Sequence, residues 1–408
     1  MIQPDRLLSA AQSVCAGAEE FLRDLVRIPS VNGENPEVGV AERLVAEAER
    51  LGLSARRVAA DAARPNVLVE WGQSKPGFAF VAHMDTVAPG NPDAWSHPPF
   101  SAHVSGRRLF GRGAADNKAG LACGLYTLAM LRDQGWIDPE RHRVVIAGVV
   151  DEESGASSPL GVRYLLDQGQ MNVHGAIYTY TSDIICIGHR GLLRFRVTAR
   201  GRAVHSGSPA WSRGEDGLNA VTGLADALVR LEKLLVNSSG HPAFPGMRSV
   251  LTPGTLINGG EFESMVPACA EALVDVRLLP GLSAEVVLEQ AWEILNQVMR
   301  ERPGLKLELE VKNNLPAALI PTDHALVRAA EYYTQAITGR KWAAEGAGPA
   351  NEGYMFIGQG IPMLCGFGPG GGNAHSPDEW VDLDSLPQTI AMYGGILIDY
   401  LQHVHASV

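Results

Sequence analysis

The chain has 408 residues, with 34 Lys and Arg against 45 Asp and Glu, a net charge of −11, and 46% hydrophobic residues. That hydrophobic share is too rich for a disordered chain. The acidic balance excludes a broad nucleic-acid or anionic-membrane surface, because either needs clustered positive charge.

At roughly 150 residues per domain the length predicts two domains or three. The opening segment MIQPDRLLSAAQ has no basic stretch followed by an apolar core, so no secretory leader is expected. No run of about 18 apolar residues predicts a membrane span. Cys15, Cys123, Cys186, Cys269 and Cys365 are odd in number, dispersed and free of a C-x-x-C pair. They read as reduced core residues in a reducing, cytoplasmic compartment.

In chain order, Phe21, Leu22, Leu25 and Val26 predict a helix over 17–29, and a second helix is expected over 38–52, ending at Gly52. Asn66–Trp71 and Phe78–Ala82 are apolar runs of strand length bounded by Pro and Gly. Leu121, Leu125, Leu128 and Leu131 give helical spacing within 117–134, with Gly135 as the stop. Arg143–Val150 reads as a buried strand. This strand–helix alternation predicts an α/β sheet.

The middle of the chain changes rhythm. Strands over 192–199, 254–258, 272–278 and 305–311 and helices over 218–235 and 284–302 give the order β-α-β-β-α-β, the ferredoxin-like pattern. After Leu315 the α/β rhythm returns. The expected organisation is therefore an α/β domain, 1–189 plus 314–408, interrupted by an inserted two-layer domain, 190–313.

Four clusters could carry chemistry. An apolar strand delivers His83 and Asp85 to its carboxyl end, where open α/β sheets bind ligands, and the i, i+2 spacing puts both on one face. Gly111-Arg-Gly-Ala-Ala-Asp116 opens a helix, with a carboxylate where a dinucleotide loop would need its third glycine. Asp151-Glu152-Glu153 ends a buried strand, a costly arrangement unless a cation is present. A glycine-rich approach, Gly366 to Gly372, precedes His375, but Pro377 and two acids follow instead of a phosphate-binding helix. Taken singly, a helix cap, a solvated acidic loop or a paired strand-end histidine accounts for each. Taken together, His, Asp, Glu and His at the ends of successive elements suit zinc, cobalt or manganese, and a carboxylate shared between two histidines suits two metals.

The ordered motifs His83-Met-Asp-Thr-Val, Gly111-Arg-Gly-x-x-Asp116, Asp151-Glu-Glu-Ser-Gly, Gly188-His-Arg-Gly and Ala374-His-Ser-Pro-Asp-Glu379 resemble the M20 metallopeptidase/deacylase family over essentially the whole chain. That family includes acetylornithine deacetylase, succinyl-diaminopimelate desuccinylase, aminoacylase and glutamate carboxypeptidase. The resemblance implies a zinc-exopeptidase-like catalytic domain with a mixed sheet and a ferredoxin-like lid and dimerisation domain. It implies His83 on a first metal, Asp116 bridging beside a cis peptide bond, and Glu153 and His375 on a second. It further implies Glu152 as general acid/base and Asp85 as a supporting residue behind the metal. In the lid, His205 is expected to reach a partner subunit's active site and steady the oxyanion, and Arg277 to grip a substrate carboxylate.

Three departures stand out. Thr179 occupies the position where the family supplies the last acid of the first metal, so that site is expected to be weak, empty, completed by water or served by Asp183. Ser264 replaces an Asn that normally contacts the substrate, and Asn351-Glu352 stands where Ser-Asp is usual. The expectation is a zinc-dependent hydrolase, with one or two ions per chain, that cleaves a C–N amide bond. Its substrate would be a small N-acyl amino acid or peptide-like molecule with a free carboxylate, and the enzyme a homodimer through the lid. The alternatives are a dipeptidase, a carbamoyl-amino-acid or atypical amide hydrolase, or a non-catalytic binding protein on the same scaffold.

Overall fold

The structure is a computed structural model describing residues 2–73, 77–235 and 238–406. It divides into two compact units, Met1–Gly188 with Leu319–Ala347 and Asn351–Val408, and His189–Ala318 with Gly348–Ala350. No helix among the described residues is long and apolar enough to cross a membrane.

The first unit is built on a six-stranded mixed sheet in the order Ser54–Val58, Asn66–Trp71, Arg143–Val149, Gly77–His83, Val173–Tyr178 and Met363–Leu364. Gly77–His83 runs parallel to both of its neighbours, with His83 level with Val149. All seven of its residues are buried, as expected for a central strand covered on both faces. Because these strands are parallel, their carboxyl ends lie along one edge, and the segments after His83, Val149 and Tyr178 leave the sheet together.

The first helix runs Pro4–Arg27, well ahead of the expected start. Pro4 sits in the first turn, where its missing N–H is harmless. The buried stripe begins at Leu7 and continues through Ala10, Ala11, Cys15 and Ala18, residues too small to announce a face in sequence. Helix Ala119–Asp133 is buried at every position through Leu131. The four leucines mark only part of a wholly internal helix. It begins two residues later than expected, because Asp116 and Asn117 are non-helical and joined by a cis peptide bond.

The second unit carries the β-α-β-β-α-β order. Its sheet runs Val250–Gly259, Cys269–Leu278, Gly191–Arg200, Lys306–Leu315, all antiparallel. Along Cys269–Leu278 burial alternates strictly, and Val274, Val276 and Leu278 pack with Leu193, Phe195 and the helices Ala220–Leu231 and Ala284–Glu301. Arg194, Asp275 and Arg277 therefore occupy the other face. Edge strand Val250–Gly259 is longer than predicted because its register shifts between Pro253 and Leu256, a bulge that lets the strand continue past a proline.

Candidate metal centre

His83 ends the central strand with no exposed surface. Its Nδ1 lies 2.9 Å from the backbone oxygen of Asp85, and its Nε2 lies 2.8 Å from Asp116 Oδ1. The Asp85 carboxylate is only 3.5 Å from Nδ1 and has a larger task elsewhere. It accepts from the backbone N–H groups of Glu152 (3.3 Å) and Glu153 (3.0 Å) and from Asn32 Nδ2 (2.7 Å). Asp85 thus holds the turn that carries both glutamates. Burial opposes its charge, yet these bonds and His83 keep its carboxyl below the usual range.

Asp116 sits on a loop shaped by Gly113, whose φ of 84° favours glycine and where a Cβ would meet Thr86 Cγ2 at 2.8 Å. Glu379 fixes this loop from within. Its two oxygens accept from Gly113 N (3.1 Å), Ala115 N (2.8 Å), Asp116 N (2.9 Å) and Arg112 Nη1 (2.5 Å), all buried or nearly so. Asp116 Oδ1 then faces His83, while Oδ2 lies 3.3 Å from His375 Nε2. Glu153 Oε1 is 3.2 Å from the same His375 nitrogen. The ligand atoms of His83, Asp116 and Glu153 all lie within 4.8 Å of one another.

Glu152 is buried beside this set, and Tyr180 donates its hydroxyl to Glu152 Oε1 at 3.0 Å. Burial pushes the Glu152 carboxyl well above its ordinary range against the pull of His83, and Glu153, Glu352 and Asp116 add repulsion. His375 is pushed up to about 10 by its bonds to Asp116 and Glu153. Two imidazoles and three carboxylates therefore converge on a place that favours positive charge. That donor set fits a borderline divalent cation such as zinc, cobalt or manganese, which His83, Asp116, Glu153 and His375 could hold.

Thr179 lies next door, buried, with Oγ1 3.1 Å from Val81 O and 3.3 Å from Asn117 Oδ1. Asp183 is exposed. Glu352 is buried, accepts from Tyr178 (2.9 Å) and is pushed up to about 8, mainly by burial. The rings of Tyr178 and Tyr180 stack at 5.0 Å, setting the two tyrosine–glutamate pairs side by side.

In the second unit, His205 is exposed and its segment pairs with that of Ser264: Ser206 N donates to Ser264 O (2.8 Å), and His205 bridges Met265. Arg277 donates to Asp275 (2.8 Å), which also accepts from Arg194 (2.8 Å).

Sequence reasoning missed Asn32, Arg112, Tyr180 and Glu379. Arg112 and Glu379 lie inside flagged motifs and could have been suspected as a buried pair. Nothing in sequence marks Asn32 or Tyr180.

Residues 79–399 match the sequence model of peptidase family M20/M25/M40. The chain belongs to that family. It is an M20-type metallo-hydrolase. It is 31% identical to a succinyl-diaminopimelate desuccinylase of Methylorubrum extorquens, over 92% of this chain and 97% of that one. It is 25% identical to an acetylornithine deacetylase of Vibrio campbellii, over 93% and 98%. Among solved structures it resembles the YXEP protein of Bacillus subtilis, a dinuclear metal binding peptidase of family M20, with a TM-score of 0.71, 16% identity and coverage of 96% and 99%.

Proposed function

We propose that this M20 hydrolase cleaves the C–N amide bond of a small N-acyl amino acid or peptide-like substrate bearing a free carboxylate. The observation that carries this reading is the convergence of His83, Asp116, Glu153 and His375, with the buried Glu152 carboxyl beside them. Zinc held by those four residues would polarise the scissile carbonyl and make water a better nucleophile at neutral pH. Glu152 takes the proton of the attacking water and returns it to the leaving amine. The Tyr180 hydroxyl fixes Oε1 and leaves Oε2 to carry the proton. Asp85 keeps the glutamate turn and His83 in register.

His205, from the lid of a second copy of the chain, is proposed to donate to the oxyanion. Its Nδ1 accepts from Gly207 N at 3.0 Å, so the neutral ring carries its proton on Nε2, as a donor must. Arg277 is proposed to bind the substrate carboxylate, with Ser264 near His205 shaping the pocket. Arg194 and Arg277 share the single carboxylate Asp275, which leaves this face cationic. A homodimer through the lid is supported by the edge strand Val250–Gly259, where Leu256 is 69% and Ile257 65% exposed. The five unpaired cysteines support a reducing, cytoplasmic setting.

The test is amine release from N-acetyl-, N-succinyl-, N-formyl- and N-carbamoyl-amino acids and dipeptides, with added metal and a chelator control. Turnover of one class, abolished by chelator and reduced at least ~10³-fold by Glu152→Gln with metal retained, is expected. Turnover insensitive to chelator or to Glu152→Gln refutes the assignment.

A further inference from the structure

We infer that Asn32 is a positioning residue for the hydrolysis: its side-chain amide clasps Asp85 and Asp151 and so fixes the turn from which Glu152 and Glu153 reach the site. The inference rests on the metal-hydrolase reading above and deepens it.

Asn32 lies on the connection between helices Pro4–Arg27 and Val38–Arg50. Its backbone is held against the segment that follows His83. Thr86 N donates to Ser30 O (2.9 Å), Asn32 N donates to Thr86 O (2.9 Å), and Ser30 Oγ donates to Met84 O (2.7 Å). Val31 pairs with Thr86 as a parallel bridge. Residues 30–32 therefore run alongside residues 84–86, and the Asn32 side chain projects from a fixed backbone.

The amide nitrogen of Asn32 has two hydrogens, and both are used. Nδ2 lies 2.7 Å from Asp85 Oδ2 and 2.8 Å from Asp151 Oδ1. Both acceptors are carboxylates, so the amide must face them with its nitrogen. The two carboxylates hold the same turn at different points. Asp151 opens it, with a backbone φ of 65°, and its carboxylate also accepts from Arg64 Nη1 (2.8 Å) and Ser158 Oγ (2.5 Å). Asp85 accepts from the backbone N–H groups of Glu152 (3.3 Å) and Glu153 (3.0 Å). Asn32 thus joins the carboxylate that opens the turn to the carboxylate that holds its amides.

The neutrality of the clasp matters. Glu37, Asp85 and Asp151 belong to one network, in which Arg64 donates to Glu37 (Nε, 2.8 Å) and to Asp151. A lysine or arginine in place of Asn32 would bring its donors together with a positive charge, beside residues proposed to hold a divalent cation. Asn32 brings two donors and no charge. It draws two carboxylates together and leaves the negative potential of the site in place.

The experiment separates positioning from scaffolding. Full-length Asn32→Ala and Asn32→Asp are compared with the wild type by urea unfolding and by equilibrium dialysis against Mn²⁺. Their kcat and KM are measured at saturating Mn²⁺ on the amide that the wild type hydrolyses. Asn32→Ala is expected to weaken Mn²⁺ binding about 10- to 100-fold, the scale for a lost support behind metal ligands. Once metal is saturating, kcat should still fall about 10- to 100-fold with KM unchanged, because a displaced Glu152 slows the chemistry without touching the substrate. Asn32→Asp, which keeps the shape but adds a third carboxylate and no donor, should lose at least as much. Ser30→Ala removes the hydroxyl bond to Met84 on the same segment; it should lower stability and leave both readouts unchanged. If Asn32→Ala does not fold, Asn32→Ser, which retains one donor, takes its place under the same criteria. A loss of kcat or of Mn²⁺ affinity that is absent from Ser30→Ala upholds the inference. Wild-type values of both in folded Asn32→Ala overturn it, as do equal losses in Ser30→Ala or a rise in KM alone, which would make Asn32 a substrate contact. If the wild type hydrolyses no amide, the substrate assignment fails and Mn²⁺ affinity alone decides between the same outcomes. Wild-type protein that binds no Mn²⁺ overturns the inference together with the metal-hydrolase reading.

Discussion

Glu379 has the largest predicted effect of any residue outside the proposed ligand set. Its carboxylate has no exposed surface and serves four donors: the guanidinium of Arg112, itself 1% exposed, and the backbone N–H groups of Gly113, Ala115 and Asp116. Truncation to Ala leaves a buried guanidinium without its partner, at about 3–5 kcal/mol. It also strands three backbone donors, each about 1 kcal/mol where water does not enter. The combined loss, about 6–8 kcal/mol, rivals the whole stability of an ordinary domain, so Glu379→Ala should fold poorly or not at all. Glu379→Gln keeps the shape and one acceptor oxygen and should cost about 3 kcal/mol. Urea unfolding of Glu379→Gln, Arg112→Met and the double variant measures this by linear extrapolation. The double variant should be less destabilised than the sum of the singles by about 2 kcal/mol or more, because it carries no unpaired buried charge. The same loop aims Asp116, so Glu379→Gln should also weaken metal binding about 10- to 100-fold. A loss under about 1 kcal/mol, or strict additivity with Arg112→Met, refutes the argument that this pair anchors the loop.

Two further predictions follow from groups around the site and in the core. Tyr180→Phe removes the donor on Glu152 Oε1; kcat should fall about tenfold, the worth of one such hydrogen bond, with KM and bound metal unchanged, and an unaltered kcat would show that Glu152 needs no such support. Glu47 is buried and bonded by Arg50, Tyr126 and Arg43; burial opposes ionisation, but these bonds lower its carboxyl to about 2. Because the folded-state pKa is depressed, its stabilisation is present above about 4.5 and is lost as pH falls towards about 2. Glu47→Gln should therefore cost about 3 kcal/mol at pH 7 and progressively less below about pH 4 in urea titrations, and a cost independent of pH would refute the ionic origin.

Much of the scaffold was legible locally. The run Phe78–Ala82 announced a buried strand, and the ferredoxin-like order of the second unit followed from alternating and helical periods alone. The early start of the first helix was hidden because alanine and cysteine carry its buried stripe. The extent of Val250–Gly259 was hidden because Pro253 reads as a break until a bulge accommodates it. At the site, His83, Asp85, Asp116, Glu152, Glu153 and His375 stood out as acids and imidazoles placed at element ends. Tyr180 and Asn32 did not, since an isolated Tyr or Asn has no local signal of a long-range bond.

The sequence by itself determined the elements, the donor types and the family, because periodicity, strand ends and ordered motifs are properties of short windows. Tertiary structure alone decided which atom faces which. Asp116 presents Oδ1 to His83 and Oδ2 to His375 only because Glu379, 263 residues away, gathers the backbone of its loop. Asn32 donates both to Asp85, 53 residues away, and to Asp151, 119 residues away. The fold likewise set the Thr179 hydroxyl between Val81 O and Asn117 Oδ1. Hydrogen bonds depend on distances of a few tenths of an ångström between atoms far apart in the chain, and no local pattern encodes those distances.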